Sequence, residues 1–246
     1  RKNIKYNWYA NALNPNNKEV KKIFGDVFND AYNFKKNNPK KWIWGEDDTG
    51  DITRINNIKY FKNFIKKQNF DCNLVTGDIG TNKETNLINL VKLEYYQIVN
   101  AINLCSIDTN IVLKSFLPLV DNNIESIKLN SVYISYYYLL YLLFDKLYFF
   151  KPSSSKQSSA EIYIIGINFI GIKQSLLDKL INNKLNINLP IFAEQDISPT
   201  FLKSMENLFV DIYKLNDKNV QQQNIIYNCM TNKDHKLNKE IGCDFI

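Results

Sequence analysis

The 246-residue chain has a single histidine, His235, in a polar stretch near its end, which excludes His-based triads, imidazole bases and His-rich metal sites. Any catalysis therefore falls to carboxylates and amines, acting by proton transfer and by charge placed beside a reacting atom. Three such residues occupy corresponding places. Asp51 lies in Gly50-Asp51-Ile52-Thr53, Asp78 follows Val75-Thr76-Gly77, and Lys114 follows Ile111-Val112-Leu113, each at what reads as the carboxyl end of a short strand. Ligands of open α/β sheets bind beyond strand carboxyl ends, so this shared position makes three ordinary charged residues a candidate site.

The elements that must position them alternate in type. Residues 6–13 read as an aromatic-rich strand ending at the turn Asn14-Pro15. Residues 19–34 have apolar positions at helical spacing (Val20, Ile23, Phe24, Val27, Phe28, Ala31). A strand end at 50–53 precedes an amphipathic helix over 55–67, through Ile58, Phe61, Phe64 and Ile65. A strand over 72–76 stops at Gly77-Asp78, and a long helix over 84–104 follows. The pattern repeats with a strand over 111–113 and a helix over 131–144. Two more strands, 147–150 and 161–167, are joined by the polar loop 151–160. Strands alternating with helices predict a mostly parallel sheet with right-handed crossovers. From residue 172 the pattern is helical (172–181, 199–215, 218–230), which predicts an α/β domain over 1–171 and a helical extension over 172–246 with a frayed tail from Thr231. No internal repeat is evident.

Composition bounds the partners. With 31 Lys and Arg against 25 Asp and Glu, the formal charge is +6 and favours a polyanion. The Lys- and Asn-rich coding bias of an AT-rich genome gives the same excess, and charge alone leaves the two readings open. Cys72, Cys105, Cys229 and Cys243 are far apart with no CxxC pair, so neither a zinc knuckle nor a disulfide framework is indicated and a reducing compartment fits best. The longest apolar run, 132–144, is shorter than the ~20 residues of a membrane span and is interrupted by tyrosines, so it reads as a buried helix.

Four motifs in order carry a family resemblance. They are Asp47-Asp48-Thr49-Gly50-Asp51-Ile52-Thr53-Arg54, Val75-Thr76-Gly77-Asp78, Val112-Leu113-Lys114-Ser115-Phe116, and the stretch from Lys151-Pro152-Ser153-Ser154-Ser155-Lys156 to Glu161-Ile162-Tyr163. Over residues 6–170 the sequence resembles the FtsJ-like 2′-O-methyltransferases, most of all their mRNA cap ribose branch in eukaryotes and large DNA viruses. Each motif is weak alone; their order and their placement on the right elements give the likeness its weight.

The resemblance implies a Rossmann-like methyltransferase sheet, mostly parallel with an antiparallel last strand. It implies S-adenosyl-L-methionine as methyl donor and the ribose 2′-hydroxyl of capped mRNA as acceptor. Asp78, Lys114 and Glu161 match the last three members of the family's Lys-Asp-Lys-Glu tetrad. A 2′-hydroxyl is a poor nucleophile near neutral pH, and a lysine beside it accepts its proton or stabilises the developing alkoxide, tuned by flanking acids. The resemblance also implies that Asp51 accepts the adenine amino group, that Ile52 packs on the ring, that Asp78 lies near the methyl-bearing end and that Asn11 lies near the cofactor ribose. A turn role for Asn11 competes with the last of these. Lys151, Ser155 and Lys156 would lie beside the acceptor nucleotide, with Lys156 where the family has arginine and the bidentate fork is lost. Trp42 and Trp44 could stack on a base, although a packing role is favoured.

The family's glycine-rich cofactor loop and first tetrad lysine precede the strand expected at Tyr6 and have no counterpart here. With Arg1 opening the sequence, the expectation is an N-terminally truncated piece of a longer cytoplasmic or viral-factory enzyme, inactive by itself, whose parent works with other capping or transcription subunits. The alternatives left open are a non-catalytic RNA-binding scaffold and a methyltransferase acting on ribosomal or transfer RNA.

Overall fold

The structure is a computed structural model that describes residues 6–25, 30, 32–69, 71–80, 87–116, 124–152, 160–182 and 189–231. The first helix, α1 (Lys18–Phe24), starts where the Asn17 side chain accepts from the backbone N–H groups of Glu19 and Val20, and stops at Gly25 with φ 69°. A single helix over 19–34 is therefore corrected. The next described helix, α2 (Phe34–Asn37), is one turn long.

The expected strands at 6–13 and 50–53 are also corrected. Ala10 makes only an isolated bridge with Trp42, through Ala10 N–H to the Lys41 carbonyl at 2.9 Å and Ile43 N–H to the Ala10 carbonyl at 2.8 Å. Residues 46–54 turn instead, because the Asp47 and Asp51 carboxylates accept from backbone N–H groups two residues ahead and compete with strand pairing. Helix α3 (Ile55–Lys67) has the bounds read from its period and buries Ile58 and Phe61.

Strand β1 (Leu74–Gly77) leads to helix α4 (Leu87–Leu104), and strand β2 (Asn110–Phe116) follows. Helix α5 (Ile124–Leu143) runs directly into β3 (Phe144–Phe150), and then come β4 (Glu161–Phe169), α6 (Gln174–Asn182) and α7 (Pro199–Thr231). The two helices expected within 199–230 are one. The polar break at Asn216-Asp217 contains neither Gly nor Pro, and Asn or Asp costs a helix at most roughly 0.7 kcal/mol each.

The sheet is mixed, in the order β1-β2-β4-β3, which is the Rossmann-like α/β arrangement expected from the sequence. β1 and β2 are parallel, with Leu74 opposite Asn110 and Gly77 opposite Leu113. β4 is antiparallel to β2. Its last residue, Phe169, donates to the Thr109 carbonyl at 2.9 Å and accepts from Asp108 N–H at 3.0 Å, just before β2 begins.

The chain forms two compact units, one of Arg1–Leu113, Leu143–Lys146 and Gly166–Ile187, the other of Lys114–Leu142, Leu147–Ile165 and Asn188–Ile246. In the first, α4 supplies much of the core through Val91, Tyr95, Val99 and Ile102, and the Tyr95 hydroxyl donates to the Leu180 carbonyl of α6 at 2.6 Å. In the second, Ile162 of β4 and Ile212 of α7 are buried together among Phe149, Leu208, Phe209 and Tyr213. Its helix α5 is buried at nearly every residue from Val132 to Leu140, where the sequence is apolar or aromatic except at Ser135. Among the described residues no helix is long and apolar enough to cross a membrane.

Candidate active site

In the first unit, the loop from Trp44 to Arg54 is built around Asn57, a fully buried residue of α3. Its Nδ2 donates to Asp47 Oδ1 at 2.9 Å, Thr49 Oγ1 at 3.2 Å and the Asp51 carbonyl at 3.0 Å, while its Oδ1 accepts from Glu46 N–H at 2.8 Å. Arg54 closes the outside through ion pairs to Glu19, to Asp47 at 2.9 Å and to Asp51 at 3.4 Å. Burial opposes ionisation of Asp47, yet the hydrogen bonds from Thr49, Asn57 and Arg54 outweigh it and hold its pKa down at about 2.

Asp51 sits in this loop with its side chain 21% exposed. Its Oδ1 accepts from Thr53 N–H at 2.9 Å and Thr53 Oγ1 at 2.8 Å, and among the described residues its Oδ2 has only the long contact to Arg54 Nε. A carboxylate offers about four acceptor positions, so Oδ2 keeps capacity for a short bond from an amine. Ile52 is half-buried, and its carbonyl accepts from Asn100 Nδ2 of α4 at 3.0 Å. Burial pushes the Tyr96 phenol up, and the Asp51 carboxylate adds to that, which puts a second α4 side chain beside this loop. Acceptor, apolar flank and fixed backbone fit the adenine end of S-adenosyl-L-methionine.

Asp78 is the exposed residue that follows β1, and the next backbone N–H, of Ile79, donates to Gln97 Oε1 of α4 at 3.3 Å. Asn11 is exposed, and its amide donates to the Ile43 carbonyl at 2.9 Å. Trp42 and Trp44 stack on each other at 5.8 Å; Phe34 packs edge-on against Trp42 at 6.3 Å and the Lys35 ammonium lies 5.5 Å from the Trp44 ring centre. These rings hold one another, as a packing role requires.

In the second unit, Lys114 is the fifth of the seven residues of β2 and half-buried. It is not the strand's last residue, which corrects its expected position. The strand continues because buried Ser115 bonds the Tyr137 hydroxyl of α5 at 2.9 Å, and that hydroxyl donates to the Phe116 carbonyl at 3.2 Å. Glu161 is half-buried and opens β4, whose antiparallel course carries it toward the end at which β2 finishes. The structure brings Lys151 and Glu161 together: Lys151 Nζ donates to the Glu161 carbonyl at 2.8 Å. Burial lowers the Lys151 pKa, and the Glu161 carboxylate works against that. Ser155 and Lys156 lie outside the described residues.

Sequence reasoning missed Asn57, Gln97 and Asn100. Their signal was available: Gln97, Asn100 and Asn103 recur every third residue in a helix that is otherwise mostly apolar.

Comparison with known proteins gives this arrangement a family. The model of the FtsJ-like methyltransferase family matches residues 8–169. An uncharacterised protein of Acanthamoeba polyphaga mimivirus is 32% identical over 180 residues, covering 70% of this chain and 21% of that protein. The cap-specific mRNA (nucleoside-2'-O-)-methyltransferase 2 of Pongo abelii is 26% identical over 253 residues, covering 97% of this chain and 30% of that protein. A probable methyltransferase of African swine fever virus is 26% identical over 179 residues, covering 66% of this chain and 38% of that protein. The chain thus spans well under half the length of these relatives. A family match over two mixed-sheet neighbours, the Gly77-Asp78 strand end and the Asp51 loop alike leaves one assignment: this chain belongs to the FtsJ-like methyltransferase family.

Proposed function

We propose that this chain is the catalytic segment of an S-adenosyl-L-methionine-dependent mRNA cap 2′-O-ribose methyltransferase, working on capped mRNA in a reducing, cytoplasmic setting. The observation that carries this reading is the family match over residues 8–169, together with a relative named for cap-specific mRNA methylation that aligns over 97% of the chain.

The bound cofactor supplies an electrophilic methyl group. Asp51 Oδ2 accepts from the adenine amine, and Ile52 covers the ring. Lys114 meets the ribose 2′-hydroxyl and takes its proton or stabilises the oxyanion that forms. Asp78 and Glu161 orient that amine. Much of the acceleration comes from alignment of the attacking oxygen. Lys151, half-buried and already donating to the Glu161 carbonyl, steadies the base of the loop proposed to contact RNA through Ser155 and Lys156.

The test is transfer of labelled methyl to capped RNA, uncapped RNA, ribosomal RNA and transfer RNA by the full-length protein, with Lys114→Ala beside the wild type. Methylation of capped RNA alone, lost in Lys114→Ala, is the expected result. Unchanged activity in Lys114→Ala removes that residue from the mechanism. A wild-type protein that binds RNA without methylating any of the four is a scaffold instead.

A further inference from the structure

Helix α4 carries a row of buried polar residues at every third position: Glu94, Gln97, Asn100 and Asn103. Burying an amide side chain costs free energy unless its hydrogen bonds are made. Three of these residues bond backbone outside the helix, Asn100 in addition to the Tyr96 carbonyl one turn back in α4 at 2.7 Å. Gln97 Oε1 accepts from Ile79 N–H at 3.3 Å, Asn100 Nδ2 donates to the Ile52 carbonyl at 3.0 Å, and Asn103 Nδ2 donates to the Ile58 carbonyl at 3.0 Å.

Two of the three backbone groups adjoin functional carboxylates, since Ile52 follows Asp51 and Ile79 follows Asp78. Both loops are thereby tied to one rigid helix at points three residues apart, about 4.5 Å of helical rise. Gly77 completes the second attachment: a Cβ there would lie 2.5 Å from Gln97 Oε1, so glycine lets the amide close over the end of β1. Adenine and the transferred methyl lie on either side of the cofactor's ribose, and the two carboxylates that serve them must keep a fixed spacing for the methyl to meet the hydroxyl in line.

We propose that Gln97 and Asn100 are positioning residues for methyl transfer, Gln97 holding the Asp78 loop and Asn100 the Asp51-Ile52 loop at a spacing set by α4. The proposal rests on the reading of Asp51 and Asp78 given above. It separates the two residues by function. Asn100 acts on cofactor binding, and Gln97 acts on turnover. If both amides only held the fold together, replacing either would lower the melting temperature and leave both kinetic constants of the folded enzyme alone.

The experiment uses the full-length protein, labelled S-adenosyl-L-methionine and capped RNA. It compares wild type with Gln97→Met, Asn100→Leu and Asp78→Ala, and follows thermal melting in parallel. Asn100→Leu is expected to raise KM for the cofactor about tenfold with kcat within about threefold of wild type. Gln97→Met is expected to lower kcat about tenfold or more while that KM stays within about threefold. Equal loss in both constants for both variants, or no loss, overturns the proposal. Gly77→Ala reads the same contact from the strand side and serves should Gln97→Met fold poorly. It is expected to lower kcat by itself and to add nothing in the Gln97→Met background, whereas independent losses overturn the coupling. Full activity of Asp78→Ala defeats the underlying functional reading. An inactive Asp78→Ala beside unchanged Gln97→Met and Asn100→Leu defeats the present inference alone.

Discussion

Gly50 is the residue on which the proposed cofactor loop turns. It sits at φ +72°, donates to the Trp44 carbonyl at 2.6 Å, and an added Cβ would lie 1.8 Å from the Ala12 carbonyl oxygen. Gly50→Ala therefore combines a left-handed backbone cost of roughly 1–2 kcal/mol with a clash against main chain that no rotamer relieves. A total loss of about 2–4 kcal/mol is expected in urea unfolding, with weaker binding of S-adenosylhomocysteine because Asp51 is the next residue. A wild-type midpoint would mean that the loop yields freely. Asp47 gives the same loop a pH signature. Its pKa is lowered from the ordinary 3.8 to about 2 in the folded chain, so its stabilisation is complete above the ordinary value and is lost as pH falls through about 2. Tryptophan fluorescence, reporting on Trp44 beside the loop, is expected to change across that acid window in the wild type and not in Asp47→Asn. Identical acid profiles for the two proteins would assign the transition elsewhere.

Tyr95 ties element to element. Its ring is buried in α4, and its hydroxyl donates at 2.6 Å to the Leu180 carbonyl, among the last four of α6. Tyr95→Phe keeps the ring and removes that buried hydrogen bond, which is expected to cost about 1–3 kcal/mol of stability by thermal or urea melting. Helix α3 was legible because Ile58 and Phe61 mark its inner face at helical spacing. The first helix was overread because apolar positions recur on both sides of Gly25, whose positive φ ends it. The 6–13 strand failed for a different reason: aromatic content suits strands, but Trp8 stacks on Phe34 at 4.9 Å and Tyr9 packs on Phe64 at 5.1 Å, so these rings serve packing between segments. The polar row of α4 was visible as a pattern and unreadable as a function. Asn100 and Asn103 meet partners 48 and 45 residues away in the chain, and nothing local announces such pairings.

Along the whole chain, boundaries of the two compact units fall after Leu113, Lys146 and Ile165, inside β2, β3 and β4. Motif order named the candidate residues, because family motifs mark positions along a chain. Motifs do not record what each side chain touches, which is why the Lys151 bond to the Glu161 carbonyl and the Asn57 hub came only from coordinates. Charge is the property that belongs to the whole. A net +6 arises from 31 basic and 25 acidic residues, and it serves RNA only if the lysines gather where phosphates lie. Salt separates the two origins of that excess. Each phosphate contact releases counterions and adds roughly 0.7–0.9 to the slope of log affinity against log salt, whereas lysines scattered by coding bias add little. For the full-length protein, capped-RNA affinity is expected to fall with a slope of about −2 to −4, several lysines contacting phosphate, while S-adenosylhomocysteine affinity stays nearly flat over the same titration. Removing Lys151 or Lys156 by substitution with Gln should each shallow the RNA slope by about one unit if that residue contacts phosphate. An RNA slope near zero would assign the basic excess to composition and leave recognition to contacts other than charge.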